Sequence, residues 1–188
     1  TTGSQSRPAV ALDAQGRMVA VWQSTGGELG NPDGSVQGQR FSAAAVAQGT
    51  QFRVNSSTYS IQGRSHVARS SNGEFVVVWD SLTSTGTDSD TWSVQGQRFN
   101  ADGSPSGTEF QVNTYTTGGQ RLPRVAAGGA GEFVVVWQSQ GSGASDTAGY
   151  SVQGQRYSST GAPQGGEFQV NALTTGDQLR PSVAVEHG

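Results

Sequence analysis

His66 and His187 are the only side chains in the sequence whose ordinary pKa puts a proton in play near neutral pH. A serine or threonine nucleophile needs such a base beside it, and these two sit at unrelated places, one in a strand-like stretch and one next to the last residue. Cysteine is absent, which removes thiolate nucleophiles, disulfides and zinc-thiolate sites together. Paired carboxylates are the remaining hydrolytic device, and they must lie about 5 to 9.5 Å apart in one cleft. Asp80, Asp88 and Asp90 cluster within one stretch, but the corresponding stretches elsewhere do not repeat the set. On this reading the chain is not an enzyme.

Binding chemistry is better represented. Asp88 and Asp146 stand at matching positions of two internal copies, and Trp92 and Tyr150 follow each of them at the same interval. An aromatic face beside a carboxylate suits a sugar, whose apolar ring face stacks while its hydroxyls donate. In the first copy Gly34 replaces the aromatic, and Glu28, Asn31 and Asp33 supply the polar atoms. The ligand-binding expectation is therefore Trp92, Tyr150, Asp88 and Asp146, with a calcium ion at Asp88 and Asp90 as the competing use of the same oxygens. All eleven basic residues are Arg, set against fourteen acids and not gathered into a stripe, so neither nucleic acid nor an anionic membrane surface is expected as a partner. No stretch is apolar enough to insert into a membrane.

The elements that carry these residues are set by a repeat. Val-Gln-Gly-Gln-Arg recurs at 36–40, 94–98 and 152–156, and Phe-x-Val-Asn at 52–55, 110–113 and 168–171, each time 58 residues apart. Each copy reads as four short strands. The first spans 8–12, 65–69, 123–127 and again 181–185; the second, apolar on both faces, ends at Trp22, Trp79 and Trp137. The Val-Gln-Gly-Gln-Arg strand and the short Phe-x-Val-Asn strand complete the unit, and turns such as Asn100-Ala101-Asp102-Gly103 join them. The fold expected is all-β: three tandem four-stranded antiparallel units over 1–58, 59–116 and 117–173 resembling β-propeller blades, with the opening strand of a fourth at 174–188. A β-trefoil is the alternative, though its units are shorter and would leave residues 181–185 without a place. An extra strand of that composition is a template for pairing, which points to self-association, closed or head to tail.

The recurring Arg40, Arg98 and Arg156 are expected to pair with a neighbouring carboxylate or carbonyl, with Glu109 and Glu167 as partners in two copies. The phrases Phe-Val-Val-Val-Trp-Gln-Ser, Ser-Val-Gln-Gly-Gln-Arg-Tyr and Gly-Gly-Glu-Phe-Gln-Val-Asn resemble tandem repeats of large exported bacterial proteins of the RTX and adhesin type. That resemblance implies secretion and an adhesive or matrix role. The Gly-Gly-x-Gly-x-Asp nonapeptide of RTX calcium sites is absent, so their calcium chemistry is not carried over. The functional expectation is a non-catalytic extracellular module that binds glycan at the loops between strands two and three. A structural repeat that assembles into a surface fibre is the alternative, and a propeller-type glycan-active enzyme the second alternative.

Overall fold

The computed structural model describes residues 3–26, 34–58, 60–82 and 86–185. Twelve strands form three separate four-stranded antiparallel sheets, each a meander in chain order. Blade one comprises β1 (Gln5–Leu12), β2 (Met18–Ser24), β3 (Ser35–Phe41) and β4 (Ala47–Arg53). Blade two comprises β5 (Gln62–Arg69), β6 (Phe75–Leu82), β7 (Trp92–Phe99) and β8 (Phe110–Gln111). Blade three comprises β9 (Gln120–Ala127), β10 (Phe133–Gln140), β11 (Tyr150–Tyr157) and β12 (Phe168–Gln169). The first strands β1, β5 and β9 pack side by side at the inner edge, as in a propeller. Among the described residues there is no helix.

Period-two alternation on β6 explains why the second strand is apolar on both faces. Phe75, Val77 and Trp79 enter one core with Val19, Val21, Val36 and Val54 of blade one, while Val76 and Val78 enter the other with Val125, Val135 and Trp137 of blade three. The cores thus lie between blades rather than within them. Two of the three repeat indoles have a polar partner: Trp79 Nε1 donates to Gln62 Oε1 at 2.9 Å, and Trp22 Nε1 to Gln5 Oε1 at 2.7 Å.

The two motifs that define the repeat are cross-strand partners. Gly38, Gly96 and Gly154 face Phe52, Phe110 and Phe168 across the ladder. A Cβ on these glycines would lie 2.6, 2.7 and 2.7 Å from the ring Cζ, so glycine is required for the Phe to lie flat over the strand. The first two rings then reach the next blade: Phe52 meets Phe75 and Phe99, which stack on each other at 4.9 Å, and Phe110 meets Phe133 and Tyr157, which stack at 4.7 Å.

The polar repeat residues clasp successive blades. Arg40 donates to the Ala101 carbonyl at 3.2 Å, and Arg98 to those of Thr160 and Ser159 at 2.6 and 2.7 Å. Glu109 and Glu167 do not meet these arginines; each reaches backward instead. Glu109 Oε2 accepts from the Ser56 amide and hydroxyl at 2.8 Å, and Glu167 Oε2 from those of Thr114 at the same distance. Strand four differs between copies because Pro105 and Pro163 replace Ala47. A proline cannot donate to the ladder, so only isolated bridges Phe99↔Pro105 and Tyr157↔Pro163 form there, whereas β4 runs for seven residues.

Candidate functional site

Every inner strand carries a bulge at the same register, between Ser6 and Ala9, Gly63 and His66, and Arg121 and Arg124. Arg7, Arg64 and Leu122 sit in these bulges with φ of 53°, 49° and 55°, and Arg180 repeats the conformation at 56°. A left-handed non-glycine residue costs on the order of 1–3 kcal/mol and persists only where its surroundings impose it. Bulges of this kind re-aim side chains beside functional sites. Here they line one side of a cleft of about 700 Å³ between the inner strands, bounded by Arg7, Arg64, His66, Arg121, Arg124, Tyr150, Asp177 and Arg180 among others.

Five arginines therefore line this cleft. Asp80, 1% exposed, lies beneath two of them, with Oδ2 at 3.4 Å from Arg64 Nη1 and 3.8 Å from Arg121 Nε. Burial pushes its carboxyl above the usual carboxylate range, against the pull of Arg64, the Leu122 amide and Arg121. Gln23 and Gln138 occupy its place in the other blades, so the acid is unique to blade two. The Arg121 guanidinium lies 4.1 Å over the Trp92 ring, and burial holds its pKa below the ordinary arginine value. His66 is held below its ordinary pKa by burial and by Arg124, and its Nδ1 accepts the Val125 amide at 3.4 Å.

The residues singled out in the sequence are divided by the structure. Tyr150 lines the cleft and Trp92 supports Arg121 there; both are half-buried. Asp88 and Asp146 are turned inward, at 0% and 1% exposure. Their Oδ2 atoms accept from Asn113 and Asn171 at 2.7 and 2.8 Å, and their amides donate to Gln111 and Gln169. They fasten the long loop to strand four, and burial raises the Asp88 pKa. Asp90 accepts the Gly118 amide at 3.3 Å. Asp88 Oδ2 is already engaged by Asn113, and among the described residues no group of three or more His, Cys, Asp or Glu converges on a cation position. Glu28, Asn31, Asp33 and His187 lie outside the described residues.

Sequence reasoning missed the arginine cleft. The signal was available in the register of strand one, where Ser6, Gly63 and Arg121, and likewise Ala9, His66 and Arg124, differ in each copy while the neighbouring Val10, Val67 and Val125 repeat.

No family model and no curated protein matches the chain. Solved structures do. A Hadza microbial sialidase is similar at 11% identity and TM-score 0.60, over 85% of this chain and 36% of that one. A family-43 endo-arabinanase from Bacillus licheniformis is similar at 11% identity and TM-score 0.52, over 91% and 61%. A thermostable family-43 glycoside hydrolase is similar at 12% identity and TM-score 0.51, over 96% and 62%. The family-43 structures are five-bladed propellers, and the likeness establishes propeller-blade units here. The chain spans between about a third and three fifths of the length of these structures. The expectation of a non-catalytic module, and with it the statement that the chain is not an enzyme, is corrected by these neighbours, which are glycan-cleaving proteins of the same architecture. It rested on asking each copy for its own acids. Unlike residues of all three blades meet instead at the cleft beside Asp80.

Proposed function

We propose that the chain acts on glycans, as part of a propeller whose sugar site is the arginine-lined cleft between the inner strands. The observation that carries this reading is the strained bulge, repeated in each inner strand and aimed each time into that cleft. The names of the structural neighbours, a sialidase and arabinan-cleaving hydrolases, support a glycan as the substrate class. Five guanidiniums against the carboxylates of Asp80 and Asp177 favour a sugar bearing a carboxylate, since the planar fork of arginine binds that group bidentately. Tyr150 offers a ring face and a hydroxyl at the rim.

The setting we infer is extracellular: the sequence has neither Cys nor Lys and its repeats resemble those of exported bacterial proteins. Among the described residues no helix is long and apolar enough to cross a membrane.

Fluorogenic glycosides of sialic, glucuronic and galacturonic acid, beside neutral arabinosides and galactosides, test the reading. Release from a carboxylated substrate is expected, reduced at least tenfold in kcat/KM by Arg121→Ala with an unchanged circular-dichroism spectrum. Absence of release from every substrate at micromolar protein would overturn the proposal.

A further inference from the structure

Two faces of the molecule have the make-up of blade-to-blade interfaces and carry no blade. Val67 and Val125, on inner strands β5 and β9, are 3% and 2% exposed, whereas their counterpart Val10 on β1 is 56% exposed. At the opposite end Val54 and Val112 are 6% and 2% exposed, and their counterpart Val170 is 52% exposed. Phe52 and Phe110 each complete a three-ring cluster with the following blade, while Phe168 is 40% exposed. Arg156, the counterpart of Arg40 and Arg98, is exposed. These are the two halves of an interface that already occurs twice within the chain.

Beside the blade-three half runs a strand prepared for it. The Gln178 amide donates to the Tyr150 carbonyl at 2.7 Å. Gln178 Oε1 accepts from Asn171 at 3.0 Å, as Gln120 Oε1 does from Asn113 at 3.3 Å. Arg180 adopts the same left-handed bulge as Arg7. Residues 179–185 thus have the shape of an inner strand, yet among the described residues no ladder pairs with them. At the other half, β1 is exposed along nearly its whole length.

We propose that residues 179–185 of one copy take the inner-strand place against β2 of a second copy, displacing that copy's own β1, so that blade three of one molecule docks on blade one of the next. The register follows from the repeat: Pro181, Val183, Ala184 and Val185 replace Pro8, Val10, Ala11 and Leu12, which sets Val183 opposite Ala20. The exchange gives up the eight-residue β1 ladder for one a residue shorter. Its net gain is burial of the apolar positions around Val170 and Phe168, which no rearrangement within blade three supplies. Arg156 then reaches the turn carbonyls of Ala43 and Ala44, as Arg98 reaches those of Ser159 and Thr160. The backward clasp is weaker in this joint than inside the chain. Gln51 stands where Glu109 and Glu167 stand, and Ala172 where Ser56 and Thr114 supply a hydroxyl. The contact is heterologous, so it closes into a ring or propagates.

Light scattering over a concentration series tests this on the whole chain. The mass should rise above 19.4 kDa by whole multiples. Val183→Pro, at a strand with no ladder in the single molecule, should return it to the monomer with unchanged tryptophan emission. Gln51→Glu with Ala172→Ser restores the charged clasp and should tighten association severalfold. In a chain without cysteine, Ala20→Cys with Val183→Cys should give disulfide-linked dimers and larger species under mild oxidation. A monomer at every concentration overturns the proposal, as does wild-type mass for Val183→Pro, oligomers without the cross-link, or a disulfide closed within one molecule.

Discussion

Gly96→Ala tests the claim that the two repeat motifs exist for one another. A methyl group at residue 96 would sit 2.7 Å from Phe110 Cζ and 3.0 Å from Cε2, where ordinary contacts begin at 3.4 Å. The ring cannot easily yield, because its other side rests against Tyr157 at 5.6 Å and Phe133 at 6.4 Å between centroids. Overpacking of this kind costs about 1–3 kcal/mol. The substitution also removes unfolded-state entropy worth about 0.4–1 kcal/mol, since residue 96 is not in the left-handed region. The net expectation is a loss of about 1–2 kcal/mol, or roughly 2–8 °C in Tm for a chain of this size. Calorimetry of three variants reads it. Gly166→Ala, with nothing within 4 Å of its added methyl, should leave Tm unchanged or slightly raised. Phe110→Leu with Gly96→Ala should be no less stable than Phe110→Leu alone, because the clash is gone. If Gly96→Ala is as harmless as Gly166→Ala, the ring does not pin the strand and the explanation of the paired motifs fails.

Trp79→Ala empties a site with 0% exposure and removes the indole donor to Gln62, so urea denaturation should show a loss of about 3–5 kcal/mol. Asp13 lies between Arg17 Nε at 2.7 Å and the buried Arg69 Nε at 3.2 Å. Burial pushes its pKa up, but hydrogen bonds from Arg17 and the charges of Arg69 and Arg17 hold it below the ordinary 3.8. Its contribution is therefore complete above pH 3.8 and lost as pH falls through the lower folded-state value. Asp13→Asn should lower Tm at pH 7 and flatten the acid limb of a Tm–pH profile between pH 4 and 2; a parallel limb would contradict the assignment. Glu167→Ala removes the acceptor for the Thr114 and Tyr115 amides and should speed hydrogen exchange at both, with about 1 kcal/mol lost overall.

The fold was legible because its determinants repeat. Val-Gln-Gly-Gln-Arg and Phe-x-Val-Asn fix two adjacent strands, and Phe75-Val76-Val77-Val78-Trp79 requires cover on both faces, which only flanking blades supply. What escaped the sequence was partnership across space. Glu109 is an obvious mate for Arg98 along the chain, but Arg98 points forward to the next blade and Glu109 backward to the previous one. Asp88 and Asp146 had the composition of a sugar or calcium site, but Asn113 and Asn171 lie 25 residues away in sequence and draw both carboxylates inward. The bulge was hidden for a further reason: its left-handed residue is Arg or Leu, not the glycine by which such positions are ordinarily recognised.

Repetition and function separate within one strand. Where the three copies agree, as at Gln37, Gln95 and Gln153, each side chain is buried and donates to Ser35, Ser93 or Ser151 two residues away, an arrangement that serves the blade alone. Some of the positions where they disagree face the cleft: Ala9, His66 and Arg124 at one register, and Gln138, the counterpart of Gln23 and Asp80, at another. Three identical blades around an axis would present three identical side chains there, which suits a symmetric ligand and no asymmetric sugar. Variation at the inner bulge leaves the inter-blade cores intact while setting Asp80 beneath two of the arginines that line the cleft. Asp80 gains its raised pKa from burial; Gln138 shares that burial without an ionisable group to express it, and Gln23 is only half-buried.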